Sequence, residues 1–299
     1  MSETPPDHAH LLMQLHHLTD PDRKIVQLAA IIHDVVPVSQ LVICLKKINI
    51  KHSGPFSFTV RTLQAQVESL MTRGMLRRDL GTGFHFRVTD AIADEAVRQA
   101  VADGVYPELV RVVEAELPSV IKVGAMKGDP RLMNFDRAVR EIRLGLLTGD
   151  EERVLRYVGL AASQRVEDYY RNPPLVRLCT QPWDLERMAA LPLRIQVKAL
   201  EEMVELALTG LEPVAGIGQL LQRHLDQSCE ETGPTLRALY LLVLLVQGRL
   251  HEASSVLAAD RPVAGAEAFQ GWIDVLRGHN RQAITTLDHA VTALDSLRA

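Results

Sequence analysis

The sequence predicts an all-α chain with a small β wing, and three observations carry that prediction. Apolar residues recur at helical spacing along almost the whole length, a period of two replaces it once, near residue 85, and two similar segments lie thirty residues apart near the end. The 299 residues make roughly two domains at about 150 each. A composition of 47 % hydrophobic and 23 % charged residues excludes a disordered or low-complexity chain.

Residues 1–19, opening MSETPPDHAH, are expected to be a flexible lead-in with neither a basic segment nor an apolar signal core. Thr19-Asp20-Pro21-Asp22 then supplies a cap followed by an early proline, and Ile25, Leu28, Ala29, Ile31 and Ile32 keep helical spacing until Pro37. Val38 to Ile48 repeats the pattern through Leu41, Leu45 and Ile48, and Lys51 to Pro55 reads as a turn. A third helix begins at Ser57 or Thr59, carries Val60, Leu63, Val67, Leu70 and Met71 on one stripe, and stops at Gly74. Phe84, Phe86 and Val88 alternate with His85 and Arg87 behind the turn Leu80 to Gly83, as in a hairpin. Three helices and a two-stranded wing are the order of a winged helix-turn-helix, assigned to residues 20–104.

Residues 105–299 are expected to be a helical-repeat domain without strands. Helices are predicted from Thr89 or Asp90 to Asp103, from Tyr106 to Leu117 and from Phe135 to Leu147. Gly248-Arg-Leu-His-Glu-Ala253 recurs as Gly278-His-Asn-Arg-Gln-Ala283, with Leu257 and Leu287 at the same offset and Gly271 at a small position of the preceding helix. Such pairs bury their faces by stacking, so a tetratricopeptide-like α-solenoid with a protein-binding surface is expected.

The net charge of −4 conceals an asymmetry. Residues 1–88 carry ten Lys or Arg against seven Asp or Glu, whereas residues 89–299 carry twenty-three against thirty. Between residues 46 and 88, Lys46, Lys47, Lys51, Arg61, Arg73, Arg77, Arg78 and Arg87 face only Glu68 and Asp79, a window of +6. This clustering is the footprint of double-stranded DNA contact, and it serves equally to dock an acidic protein. Thr62 and Gln66 on the third helix and His85 in the wing complete the candidate interface. Arg61, Thr62, Ala65 and Ser69 make a mild outer surface on that helix, better suited to backbone contact than to base reading.

No catalytic signature is complete. His251-Glu252 lacks the second histidine of a zincin, Gly216-Ile-Gly218 lacks a third glycine, and no Gly-x-Ser-x-Gly occurs. His8, His10, His16 and His17 have no neighbouring cysteine or paired carboxylate to close a metal site, and His33-Asp34 reads as a helix end rather than a phosphohydrolase dipeptide. The pairs Glu151-Glu152, Glu201-Glu202 and Glu230-Glu231 are splayed on their helices, which suits solvent exposure. Cys179 among apolar residues is expected to be buried, and Tyr169, Tyr170 and Trp183 to be core. Cys44, Cys179 and Cys229 form no Cys-x-x-Cys, which points to a reducing cytoplasm. The longest apolar run, Leu239 to Val246, is far below the ~20 residues that span a bilayer, so no membrane role is expected. The expectation is a non-catalytic protein with no cofactor and no metal, contacting DNA through its head and a protein through its body; the alternative is a protein-interaction adaptor without nucleic acid.

Leu63 to Leu76 with Arg77-Arg78, the helix from Thr89 to Gly104, the stretch Pro182-Trp183-Asp184 to Leu191-Pro192-Leu193-Arg194, and the repeat from Leu276-Arg277-Gly278 to Leu294 together resemble the N-terminal region of long bacterial Swi/Snf-type helicase-like ATPases. The resemblance implies a winged helix and helical repeats placed before a motor. No Gly-x-x-x-x-Gly-Lys-Ser/Thr occurs in these 299 residues, so any ATPase activity would lie in a motor outside the chain. The final Leu-Asp-Ser-Leu-Arg-Ala keeps a helical pattern without a cap signal, as expected of a fragment.

Overall fold

The computed structural model describes residues 8–53, 56–79, 84–118, 120–122, 131–133, 135–163, 173–180, 185–210, 217–225, 232–259 and 261–298. They are mostly helical, with a few short strands, and the chain divides into two compact units, Met1–Val166 and Glu167–Ala299.

The first unit opens with α1 (His8–His16), where a lead-in was expected. Leu11, Leu15 and Leu18 are buried in the main core, and Gln99 and His16 are joined side chain to side chain at 2.8 Å, so an apolar stripe three to four residues apart pins this helix down. Helix α2 (Asp20–Ile32) follows, with Pro21 in its first turn, and is buried along almost its whole length. It ends where His33 turns left-handed (φ 53°) and returns its N–H to the Ala29 carbonyl, while Asp34 Oδ1 accepts the Val35 N–H at 2.6 Å. This dipeptide is a helix stop.

Next come β1 (Val36–Pro37), α3 (Val38–Lys47), a small hairpin of β2 (Lys51–Ser53) and β3 (Phe56–Ser57), and α4 (Val60–Thr72). Thr59 caps α4: its hydroxyl accepts the Thr62 N–H at 3.2 Å and the Thr62 hydroxyl accepts the Thr59 N–H at 2.9 Å, a reciprocal capping box. Gly74 stops the helix at φ 76°, and β4 (Leu76–Arg78) and β5 (His85–Val88) then pair antiparallel. The expected turn at residues 80–83 lies outside the described residues.

Strand β1 joins this hairpin, giving the sheet order β1-β5-β4. Val36, Leu76, Phe86 and Val88 are buried against α2 and α4, so one face of the sheet belongs to the core. Neither β1 nor the β2–β3 hairpin was expected, because strands of two or three residues show no readable alternation.

Five further elements extend the unit past residue 104, where the boundary was expected. Helices α5 (Asp90–Ala102) and α6 (Tyr106–Glu116) pack on α2, and α7 (Phe135–Thr148) packs on both α2 and α5. Arg143 of α7 secures this arrangement, donating to Asp94 of α5 at 2.6 Å and to the Ala30 carbonyl of α2 at 2.9 Å. Helix α8 (Glu151–Ser163) closes against α7, where Gly145 lets the helices approach: a Cβ there would lie 2.7 Å from Val154 Cγ2. Between α6 and α7, β6 (Val120–Lys122) and β7 (Arg131–Met133) form a two-stranded hairpin in a region expected to lack strands.

The second unit contains α9 (Pro174–Thr180), α10 (Leu185–Ala189), α11 (Leu193–Gly210), α12 (Ile217–Leu225), α13 (Gly233–Val246), α14 (Leu250–Ala258), α15 (Ala266–Leu276) and α16 (Asn280–Arg298). The repeated segments fall on two equivalent helix pairs, α13–α14 and α15–α16. Gly248 (φ 72°) and Gly278 (φ 80°) end the first helix of each pair, and Ala253 and Ala283 are buried in the second. Gly271 meets α16 closely, since a Cβ on it would lie 2.7 Å from Leu287 Cγ.

Candidate nucleic-acid interface

The sheet register sorts the cations of the β4–β5 hairpin. Arg77 stands directly opposite Arg87, and His85, two residues from Arg87, shares their outward face. Arg78 does not join them: it pairs in register with buried Phe86, and its guanidinium lies over the Phe84 ring at 5.4 Å from the centroid. Two like charges directly opposed repel, and Arg77 relieves this by binding Asp90 at the start of α5 at 2.7 Å.

Two other expected contacts are also committed within the protein. Lys47 pairs with Glu116 of α6, and Arg73 reaches Asp22 of α2 at 3.4 Å. Asp22, buried, additionally accepts from Gln66, which removes that amide from the outward set and ties α4 to α2. Thr62 is spent in the capping box. Lys51 donates to the Ser57 hydroxyl at 3.4 Å across its hairpin. Lys46, Arg61 and Arg87 are exposed and have no ion-pair partner among the described residues. The outer face of α4, formed by Arg61, Ala65, Glu68, Ser69 and Thr72, balances one cation against one carboxylate.

The three carboxylates that meet Lys47, Arg73 and Arg77 all come from outside residues 46–88, so the window of +6 is halved by the fold. What remains is dispersed: one arginine in the first turn of α4, one on the sheet face beside a tethered second, and a lysine near the end of α3. Point cations of this kind suit phosphate oxygens better than base edges.

The other candidate groups have structural surroundings. Burial pushes the Cys44 thiol up to about 11, with Glu116 adding to the shift, and burial does the same to Cys179, also to about 11. Both are thiols rather than nucleophilic thiolates at neutral pH. Glu201 is bound by Lys198 at 2.7 Å, whereas Glu202, expected at the surface, is buried and accepts the Leu175 N–H in the first turn of α9 at 3.1 Å. Neighbours on a helix are about 100° apart, so one of the pair points inward and caps another helix. His10 contacts Gln14 at 2.7 Å, and among the described residues no group of three or more His, Cys, Asp or Glu could hold a metal ion. No helix among them is long and apolar enough to cross a membrane. Tyr169, Tyr170, Trp183, Gly216, Cys229, Glu230 and Glu231 lie outside the described residues.

Comparison of the chain with protein-family models, with curated proteins and with solved structures finds no match.

Proposed function

We propose that this chain is a non-catalytic recognition module: a winged helix-turn-helix that contacts the DNA backbone, followed by tetratricopeptide-like helix pairs, an α-solenoid that docks a protein or a motor domain. The observation that carries the reading is the element order from α2 to β5, helix, strand, helix, a small inserted hairpin, helix, strand, strand, closed by a sheet of order β1-β5-β4. In that arrangement α4 is the recognition helix and the β4–β5 hairpin is the wing. Arg61, Arg77 and Arg87 would bind phosphate. The same architecture is what the resemblance to Swi/Snf-type ATPases implies ahead of their motor.

The near-neutral outer face of α4 favours a second reading, in which this head docks a protein and binds no nucleic acid. Fluorescence anisotropy of a labelled duplex over a salt series separates the two. Backbone contact requires affinity to fall linearly in log–log terms. Replacing Arg61, Arg77 and Arg87 together by alanine is expected to lower the slope by about 3, since each phosphate contributes about 0.9. A slope unchanged by that triple substitution leaves only the adaptor.

A further inference from the structure

Two apolar side chains stand in water at the start of α4. Phe56, in β3, is 69 % exposed, more than any other large apolar side chain among the described residues. Val60, the first residue of α4, is 50 % exposed, although helical spacing placed it in that helix's buried stripe. The stripe begins one turn later, at Leu63, which is buried together with Val67 and Leu70. Between the exposed pair, Phe58 is 1 % exposed in the core with the His52 ring 5.2 Å away, and Lys51 pairs in register with Ser57, so both ends of this segment are fixed. Four residues of extended chain reach at most about 13 Å, which keeps Phe56 and Val60 within one small patch.

The charge around the patch says what fits it. Residues 48–67 contain Lys51 and Arg61 and no Asp or Glu. Arg61, next to Val60, is exposed and has no ion-pair partner among the described residues. A complementary surface therefore sets apolar groups between negative charges. The major groove of duplex DNA has that composition at A·T pairs, where the thymine methyl group projects between two rows of phosphate. The N-terminal residues of a recognition helix are the ones that approach base edges, and an apolar side chain such as phenylalanine tells thymine by its methyl group. The uncharged polar side chains in the first two turns of α4 are engaged within the protein, Thr62 in the capping box, Gln64 with Glu68 at 3.2 Å and Gln66 with Asp22. Discrimination between base pairs is thus left to the apolar pair.

We infer that Phe56 and Val60 contact thymine methyl groups in the major groove and give this head a preference for A·T base pairs. The inference rests on the DNA-contact reading above, with Arg61 holding the adjoining phosphate.

Replacing thymine by uracil removes the methyl group and leaves every phosphate and every base-pair hydrogen bond in place, so it tests this on the unaltered protein. Anisotropy of the full chain is measured with a short labelled duplex of A·T pairs and with the same duplex carrying uracil throughout. The uracil duplex should bind about fourfold more weakly for each methyl group that the protein buries. Phe56→Ala with Val60→Ala should bring the two duplexes to equal affinity, with an unchanged circular dichroism spectrum because both positions are exposed. The salt slope of that double variant should match the wild type, since neither side chain carries charge. Salt-dependent binding with equal wild-type affinity for thymine and uracil duplexes overturns the inference and leaves the DNA-contact reading standing, as does a thymine preference that survives the double substitution. Failure to bind either duplex at low salt removes that reading and the inference with it, and assigns the patch to a protein partner.

Discussion

Arg77 shows how one carboxylate sets the use of a cation. Its 2.7 Å pair with Asp90 is solvent-exposed on both sides, so it contributes no more than about 1 kcal/mol, and a phosphate can displace it. Asp90→Asn removes both the competitor and a negative charge beside the incoming phosphate. Duplex affinity at low salt should rise roughly two- to fivefold by anisotropy, within that limit; unaltered affinity would place Arg77 outside the interface. His224 of α12 offers a different test. Burial, aided by the neighbouring Arg223, holds its pKa below the ordinary 6.5, and its Nε2 is buried without a hydrogen-bond partner among the described residues. The folded state therefore binds the proton less readily than the unfolded state, and stability present at neutral pH is lost as pH falls below about 6.5. Urea midpoints at pH 7.5 and 5.5 should differ in that direction, and His224→Gln should flatten the difference. Equal slopes in the two proteins would show that other groups govern the acid limb.

Among the elements, helices were the most legible. Thr19 with Pro21, Thr59 and Gly74 mark ends that the structure places within one or two residues, because caps and left-handed stops act over a single turn. The β1 strand and the β2–β3 and β6–β7 hairpins were not legible, since each gains its identity only from a partner. The repeated helix pairs were readable from Gly248 and Gly278, and the closeness of the second pair was written in Gly271. Gly271→Ala places a methyl group 2.7 Å from Leu287 Cγ and 2.9 Å from its Cδ2. Overpacking of about 1–3 kcal/mol outweighs the ~1 kcal/mol that alanine gains in helix propensity. A lower chemical-denaturation midpoint is the expected result; a higher one would mean that α15 and α16 separate without cost.

For the molecule as a whole, the boundary between units is a packing outcome. Arg143, buried and bound to Asp94 and the Ala30 carbonyl, makes α7 part of the core built by α2 and α5. Beside it Glu141 is buried between Arg140, at 2.5 Å, and Arg153, which also holds Glu114 of α6 at 2.8 Å. Removing one member of such a buried set costs about 3–5 kcal/mol. A chain of residues 1–166 should accordingly melt cooperatively with a native-like helical spectrum, whereas residues 1–104, stripped of α6, α7 and α8, should not. Cooperative folding of the shorter piece would return the boundary to residue 104.

The candidate interface was legible in kind but not in membership. Lys46 through Arg87 could be picked out as a basic window, yet Asp22, Asp90 and Glu116, which neutralise three of its cations, lie 51, 13 and 69 residues away in sequence. By itself the sequence determined what acts locally: the helical character, most helix ends, the β4–β5 hairpin and the thirty-residue echo, because side-chain period and capping extend over a few neighbours. Only the tertiary structure decided which charges reach water, which strands find partners, and that the opening helix belongs to the core. Those outcomes depend on contacts between distant residues, whose pairing no local pattern encodes.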